Sequence, residues 1–272
     1  MSEVAWTQVA ASWPQIAVIA GSLTAFLWVA AGSMRRLARG EPLLAWRPHP
    51  PVPWEGADVA IVAAGYLCLA ATLQHLASTP RTPVNRLVDN VFLSVGATLL
   101  ALAWLRFRGA DRVALGLEPA RLGESLAVAV RALALCVFPL LALAMILNAV
   151  VPYEHPVVDF LADQRGPTAA LLVILSAVVV APVAEELFFR RVLQGWLEKQ
   201  FEGDRGVAVA VAAIAFAAAH AGQGLAFIPL FLLGCLLGTI AERTGSIVPC
   251  ILLHGLFNAV SVFVMLARPP AA

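Results

Sequence analysis

Apolar residues dominate this chain in long blocks, and the blocks are bounded by residues that stop helices. Stretches long enough to span a bilayer fall at about 13–33, 56–78, 88–105, 126–152, 169–189 and 246–267, with shorter ones at about 206–220 and 225–241. The pattern predicts an all-α, polytopic bundle of about eight transmembrane helices. The Pro-rich link Pro42 to Pro53, the run Ser78-Thr79-Pro80 and Glu118-Pro119 separate the blocks with helix-breaking chemistry. No internal repeat accompanies them. The segment 108–125 mixes Arg112, Glu118, Arg121 and Glu124 with Leu115, Leu117 and Leu122, which suits a helix lying at the membrane surface, with a solvated connector as the expected reading. The outer loop from Tyr153 to Gly166 carries Glu154, Asp159 and Asp163 and reads as a solvated surface loop.

Composition agrees with the pattern. The 272 residues are 61% hydrophobic and only 13% charged, where soluble domains average roughly 45–50% and about 25%; mean hydropathy is +0.85. A net charge of +1 argues against a nucleic-acid partner, and a single lysine, Lys199, against a polybasic anchor. The four cysteines sit alone in apolar runs and read as small packed residues. No basic residue precedes the first apolar run, which is too long for a signal-peptide core and is expected to be retained.

Basic residues are held on the cytoplasmic side during insertion. With the N-terminus outside, the cytoplasmic segments hold Arg35, Arg36, Arg39, Arg47, Arg106, Arg108, Arg112, Arg121, Arg190, Arg191, Lys199, Arg205 and Arg243. The outer ones hold only Arg81, Arg86, Arg165 and Arg268. Both termini are therefore expected outside.

Ionisable groups inside a span are costly and mark function by default. The fifth block contains Ala184-Glu185-Glu186-Leu187-Phe188-Phe189-Arg190-Arg191. Glu186 and Arg190 lie four apart on one helix face, acid first, so they pair. Glu185 lies about 100° around the helix from Glu186 and has no local cation. The sixth block ends in Phe216-Ala217-Ala218-Ala219-His220. The polar link Lys199 to Gly206 turns the chain near Gly203, and Glu186 and His220 each lie 17 residues from it, so an antiparallel hairpin sets them at one height. The last block contains His254-Gly255-Leu256-Phe257-Asn258, whose His254 and Asn258 share a face, as hydrogen bonding between packed helices alone would also explain. For His254 to reach the level of His220, residues Ala221 to Phe227 must run as a non-helical link.

The motifs E-E-x-x-x-R, F-x-x-x-H and H-x-x-x-N, in this order on three helices, resemble the CAAX protease and bacteriocin-processing family of intramembrane endopeptidases, which includes the type II CAAX prenyl endopeptidases. The resemblance rests on Glu185, Glu186, Arg190, Phe216, His220, His254 and Asn258 and covers about residues 169 to 267, so 1–168 is read as an N-terminal membrane region and 169–267 as the catalytic core. It implies hydrolysis of a peptide bond in a membrane-embedded or lipidated substrate. Glu185, a stronger base when buried, would deprotonate water. His220 would share that water, His254 and Asn258 would stabilise the oxyanion, and Glu186, Arg190 and Phe216 would support them.

Two cofactor readings stay open: none, or a zinc ion held by Glu185, His220 and His254. A transporter, or a silent scaffold or immunity protein on the same fold, are the rivals from other classes. The composition, rich in Ala, Val, Leu and Arg with one Lys, suggests a bacterial plasma membrane, with the site reached from the cytoplasm.

Overall fold

The computed structural model describes residues 3–80, 82–118, 121–153, 166–201 and 204–266. Among these residues there is no strand, and eight long helices carry the fold: α1 (Glu3–Ala38), α2 (Gly56–Ala77), α3 (Pro83–Phe107), α4 (Leu122–Val150), α5 (Pro167–Gln200), α6 (Arg205–Ala218), α7 (Phe227–Thr244) and α8 (Val248–Leu266). Six stretches are long and apolar enough to cross a membrane: α1 from Trp13, α2, α3 from Val84, α4, α5 and Gly224–Thr244. The chain is an integral, multi-pass membrane protein. The expected outer loop 154–165 and the turn at Gly203 lie outside the described residues.

Several lengths differ from the sequence reading: the first helix extends over Glu3–Ala38, and the last, expected to span over 246–267, is among the shorter apolar helices at Val248–Val264. The fifth helix runs on to Gln200, because Gln194 to Gln200 continues it with a polar face. The seventh reaches spanning length because a 3-10 turn, Gly224–Ala226, leads into it. Residues Ala219 to Gln223 form turns, so the break expected between the sixth and seventh helices is present.

Of the two readings of 108–125, the connector is the one present, and no surface helix forms over 108–118. Residues 108–118 fold as successive turns against the end of the bundle, and α4 begins at Leu122. Gly109 and Gly116 take positive φ, +87° and +67°, which ends helical winding at both points. The segment is then held by other elements: Arg191 donates through Nε to the Ala114 carbonyl, and Ile247 N–H and the Ser246 hydroxyl donate to the Gly116 carbonyl at 3.1 and 2.9 Å. Leu115 is buried there instead of facing lipid.

The segments assigned to the cytoplasmic side meet at one end of the bundle. Arg47 pairs with Glu124 at 2.9 Å, Lys199 with Glu55 at 2.6 Å, Arg205 with Glu242 at 3.3 Å and Arg108 with Asp58 at 3.0 Å. The Pro-rich strap crosses this end, anchored by buried Trp54, whose indole donates to the Val192 carbonyl at 3.0 Å.

Candidate active site

Helix α5 is not uniformly wound. Its α-helical stretches, Pro167–Ile174, Ala181–Glu185 and Gln194–Gln200, alternate with wider i→i+5 windings at Leu175–Val180 and Glu186–Leu193. Such windings recur at functional sites. In the first of them, Ala181 N–H donates five residues back, to Ser176. Pro182, next in that register, has no N–H to offer Ala177. The amide of Asn258 on α8 supplies the missing donor, at 2.8 Å from the Ala177 carbonyl. One turn earlier on α8, Gly255 lies so close that a Cβ would stand 2.7 Å from the Val178 carbonyl. The break at Pro182 and the glycine thus let α8 lie against the backbone of α5.

That contact delivers His254 to the glutamates. Its Nδ1 is 2.9 Å from Oε1 of Glu186, and its Nε2 is 3.8 Å from Oε2 of Glu185. Glu186 also accepts from Arg190 Nε at 3.0 Å, with both side chains wholly buried. The pairing expected from four-residue spacing is therefore present, with His254 as a second partner. Both oxygens of Glu186 are engaged. Glu185 differs: its side chain is 27% exposed, and its Oε2 is buried without a hydrogen-bond partner. Arg190 Nη1 and Nη2 and Gln194 Oε1 are the other buried side-chain atoms without a partner among the described residues.

Phe216 is the wall against which these groups stack. Its ring centroid lies 4.9 Å from the His220 ring, 5.8 Å from that of His254 and 5.3 Å from that of Phe189, with the Arg190 guanidinium 4.9 Å away. This explains the F-x-x-x-H spacing, since the residue one turn before His220 must pack on α5. His220 Nδ1 lies 2.8 Å from the Phe216 carbonyl, which can only accept, so Nδ1 carries a proton and Nε2 is the acceptor whenever the ring is neutral. Six of the seven motif residues thus converge around Glu185 and Glu186, while Asn258 binds one turn away, at Ala177.

The donor types of Glu185, His220 and His254 suit zinc. Among the described residues no three His, Cys, Asp or Glu side chains are grouped as metal ligands. Two small cavities, of about 140 and 100 Å³, open at the basic end around His49 and Pro50, and none of the motif residues lines either.

Sequence reasoning missed Tyr66 and Gln194. The Tyr66 hydroxyl of α2 donates to the Ala184 carbonyl at 3.4 Å, beside Glu185. Gln194, fully buried, donates to Glu198 and to the Gly238 carbonyl, each at 2.9 Å. A polar residue inside a spanning helix was the available signal for both.

Comparison with curated proteins and with solved structures found no match. Residues 167–260 match a family model described as type II CAAX prenyl endopeptidase Rce1-like. That stretch contains all seven motif residues, so the segment bearing the site is similar to the Rce1-like CAAX-type endopeptidases, the resemblance that the motifs indicated.

Proposed function

We propose that this protein is an intramembrane endopeptidase that hydrolyses a peptide bond in a prenylated, membrane-associated substrate, using water activated by Glu185. One observation carries the reading: of two adjacent acids, Glu186 is wholly buried and consumed by Arg190 and His254, whereas Glu185 is partly exposed and keeps a buried oxygen with no hydrogen-bond partner, His254 Nε2 standing 3.8 Å from it. An unpartnered buried carboxylate oxygen is costly to a folded state and valuable to a base.

In this reading Glu185 takes one proton from the water and His220 Nε2 accepts a hydrogen bond from the other. The hydroxide attacks the scissile carbonyl, and the proton held by Glu185 passes to the leaving amine. His254 donates to the oxyanion through Nε2 when its ring carries a proton on each nitrogen. Asn258 holds α8 against α5 with one amide N–H and keeps the second for substrate. Glu186, Arg190 and Phe216 fix the positions of both histidines. The water is activated without a metal, and the site is reached from the cytoplasmic face of a bacterial plasma membrane.

The test is cleavage of a farnesylated CAAX-type peptide by the purified chain in nanodiscs, read by mass spectrometry. Glu185→Gln is expected to lose at least about 10²-fold in kcat with no change in Tm. Cleavage by Glu185→Gln at the parent rate sinks the proposal. Activity that persists in chelator-treated protein free of metal is expected; activity that leaves with a metal and returns with it overturns the metal-free part.

A further inference from the structure

The family match begins at residue 167, yet one side chain from far outside it reaches the site. Tyr66 lies ten residues into α2 and Thr98 nine residues before the end of α3, so both stand roughly 15 Å from the basic end, half-way across a hydrocarbon layer about 30 Å thick. The Tyr66 ring packs on Phe188 of α5, with centroids 5.5 Å apart. Its hydroxyl has two neighbours, Thr98 Oγ1 at 3.3 Å and the Ala184 carbonyl at 3.4 Å.

The direction of these bonds can be assigned. Thr98 Oγ1 spends its only hydrogen on the Ser94 carbonyl at 2.8 Å, so towards Tyr66 it accepts. The Tyr66 hydrogen is therefore shared between Thr98 and Ala184, and both bonds are longer than an ordinary hydroxyl bond. Behind Thr98 the polar row continues along one face of α3, with Ser94 Oγ donating to Asn90 Oδ1 at 3.4 Å. These three polar residues stand four apart inside a spanning helix, and Thr98, the one that meets Tyr66, is buried; polar groups inside a span are retained for a purpose.

We propose that Tyr66 is a positioning residue of the hydrolytic site: its hydroxyl, backed by Thr98, holds the Ala184–Glu185 turn of α5 so that the Glu185 carboxylate faces its water. His254 borders Glu185 from α8, and Tyr66 restrains the same turn from α2. The N-terminal helices then contribute to chemistry as well as to anchorage. This inference rests on Glu185 as the base.

The test compares three variants in nanodiscs on the farnesylated, CAAX-type peptide. Tyr66→Phe keeps the ring and removes the hydroxyl; kcat is expected to fall about tenfold with KM within twofold, since small misplacement of a base is costly to rate, and the solvent isotope effect on kcat should change with it. Phe188→Leu removes the ring contact but leaves the hydroxyl, and should lower Tm while keeping kcat. Glu185→Gln, run in parallel, should be inactive. A Tyr66→Phe enzyme with the parent kcat, or one altered only in KM, overturns the positioning role while the base stands. A Tyr66→Phe chain that fails to fold overturns it too, because the hydroxyl then serves the fold. Parent activity in Glu185→Gln, or no cleavage by the parent, removes the base and the inference with it.

Discussion

Helices α1 and α7 are similarly apolar, with mean hydropathies of 1.8 and 2.2 in their spanning stretches, yet they use that character in different ways. Ser22 is the one buried residue over 13–38 of α1, whereas 39% of the spanning window of α7 is buried. Trp28 of α1 is 81% exposed, so its apolar surface is for lipid. In α7, Gly234 and Gly238 lie against Ala213, Phe216 and Val209 of α6, so small residues bring backbones together and the helix is for protein. Within lipid there is no hydrophobic gain in joining two helices, and close packing and polar contacts do that work instead. The difference teaches where the fold is held. The second half concentrates close contacts and buried charge, and the first half mostly meets lipid.

The strongest way to break this contrast is to remove a charge from the second half. Glu186→Ala would leave the Arg190 guanidinium buried without a counter-charge and His254 without its Nδ1 partner. A loss of about 3–5 kcal/mol is expected, as for other buried pairs deprived of one member, measured by reversible unfolding in bicelles. Trp28→Ala on α1 should stay within about 0.5 kcal/mol. Equal effects at the two sites would show that the halves are held alike.

Glycines sharpen the comparison. At Gly255 a Cβ would collide with the Val178 carbonyl at 2.7 Å, and backbone cannot swing aside as a side chain can. Gly255→Ala should cost about 1–3 kcal/mol by forcing α8 off α5, and should also lower activity because His254 moves with the helix. At Gly65, on α2, nothing lies within 4 Å, and Gly65→Ala should be neutral or stabilising by up to about 1 kcal/mol. Thermal unfolding of both variants checks the pair.

What the sequence disclosed follows the range of each interaction. The Glu186–Arg190 pair is local and periodic, so four-residue spacing revealed it. The level of His220 came from counting to a turn, which needs only an antiparallel hairpin. The bond between His254 and Glu186 spans 68 residues and depends on how α8 is rotated about its axis, which no periodicity encodes. The wide windings of α5 were invisible for a related reason: Pro182 marks a disturbance, but whether a helix answers by kinking or widening depends on which neighbour fills the freed carbonyl. At 108–118 the charges and leucines allowed a surface helix as well as a connector; Gly109 and Gly116 decide against the helix, and Arg191 takes carbonyls that a helix would have kept for itself.

Asn258 is the finest discriminator between a residue that holds helices together and one that serves chemistry. Its amide supplies the donor that Pro182 withholds from Ala177, at 2.8 Å. Asn258→Ala removes that donor and should cost about 0.6 kcal/mol, the average for interhelical hydrogen bonds in membranes, read as a small fall in unfolding free energy. If the second amide N–H also meets the oxyanion, kcat should fall by roughly 10²-fold or more, far beyond what so slight a loss of stability explains. Asn258→Asp separates the two duties further, since a carboxylate accepts but does not donate and would face the Ala177 carbonyl with repulsion. A loss of stability without a matching loss of kcat in Asn258→Ala would confine this residue to packing, leaving His254 as the sole donor of that face.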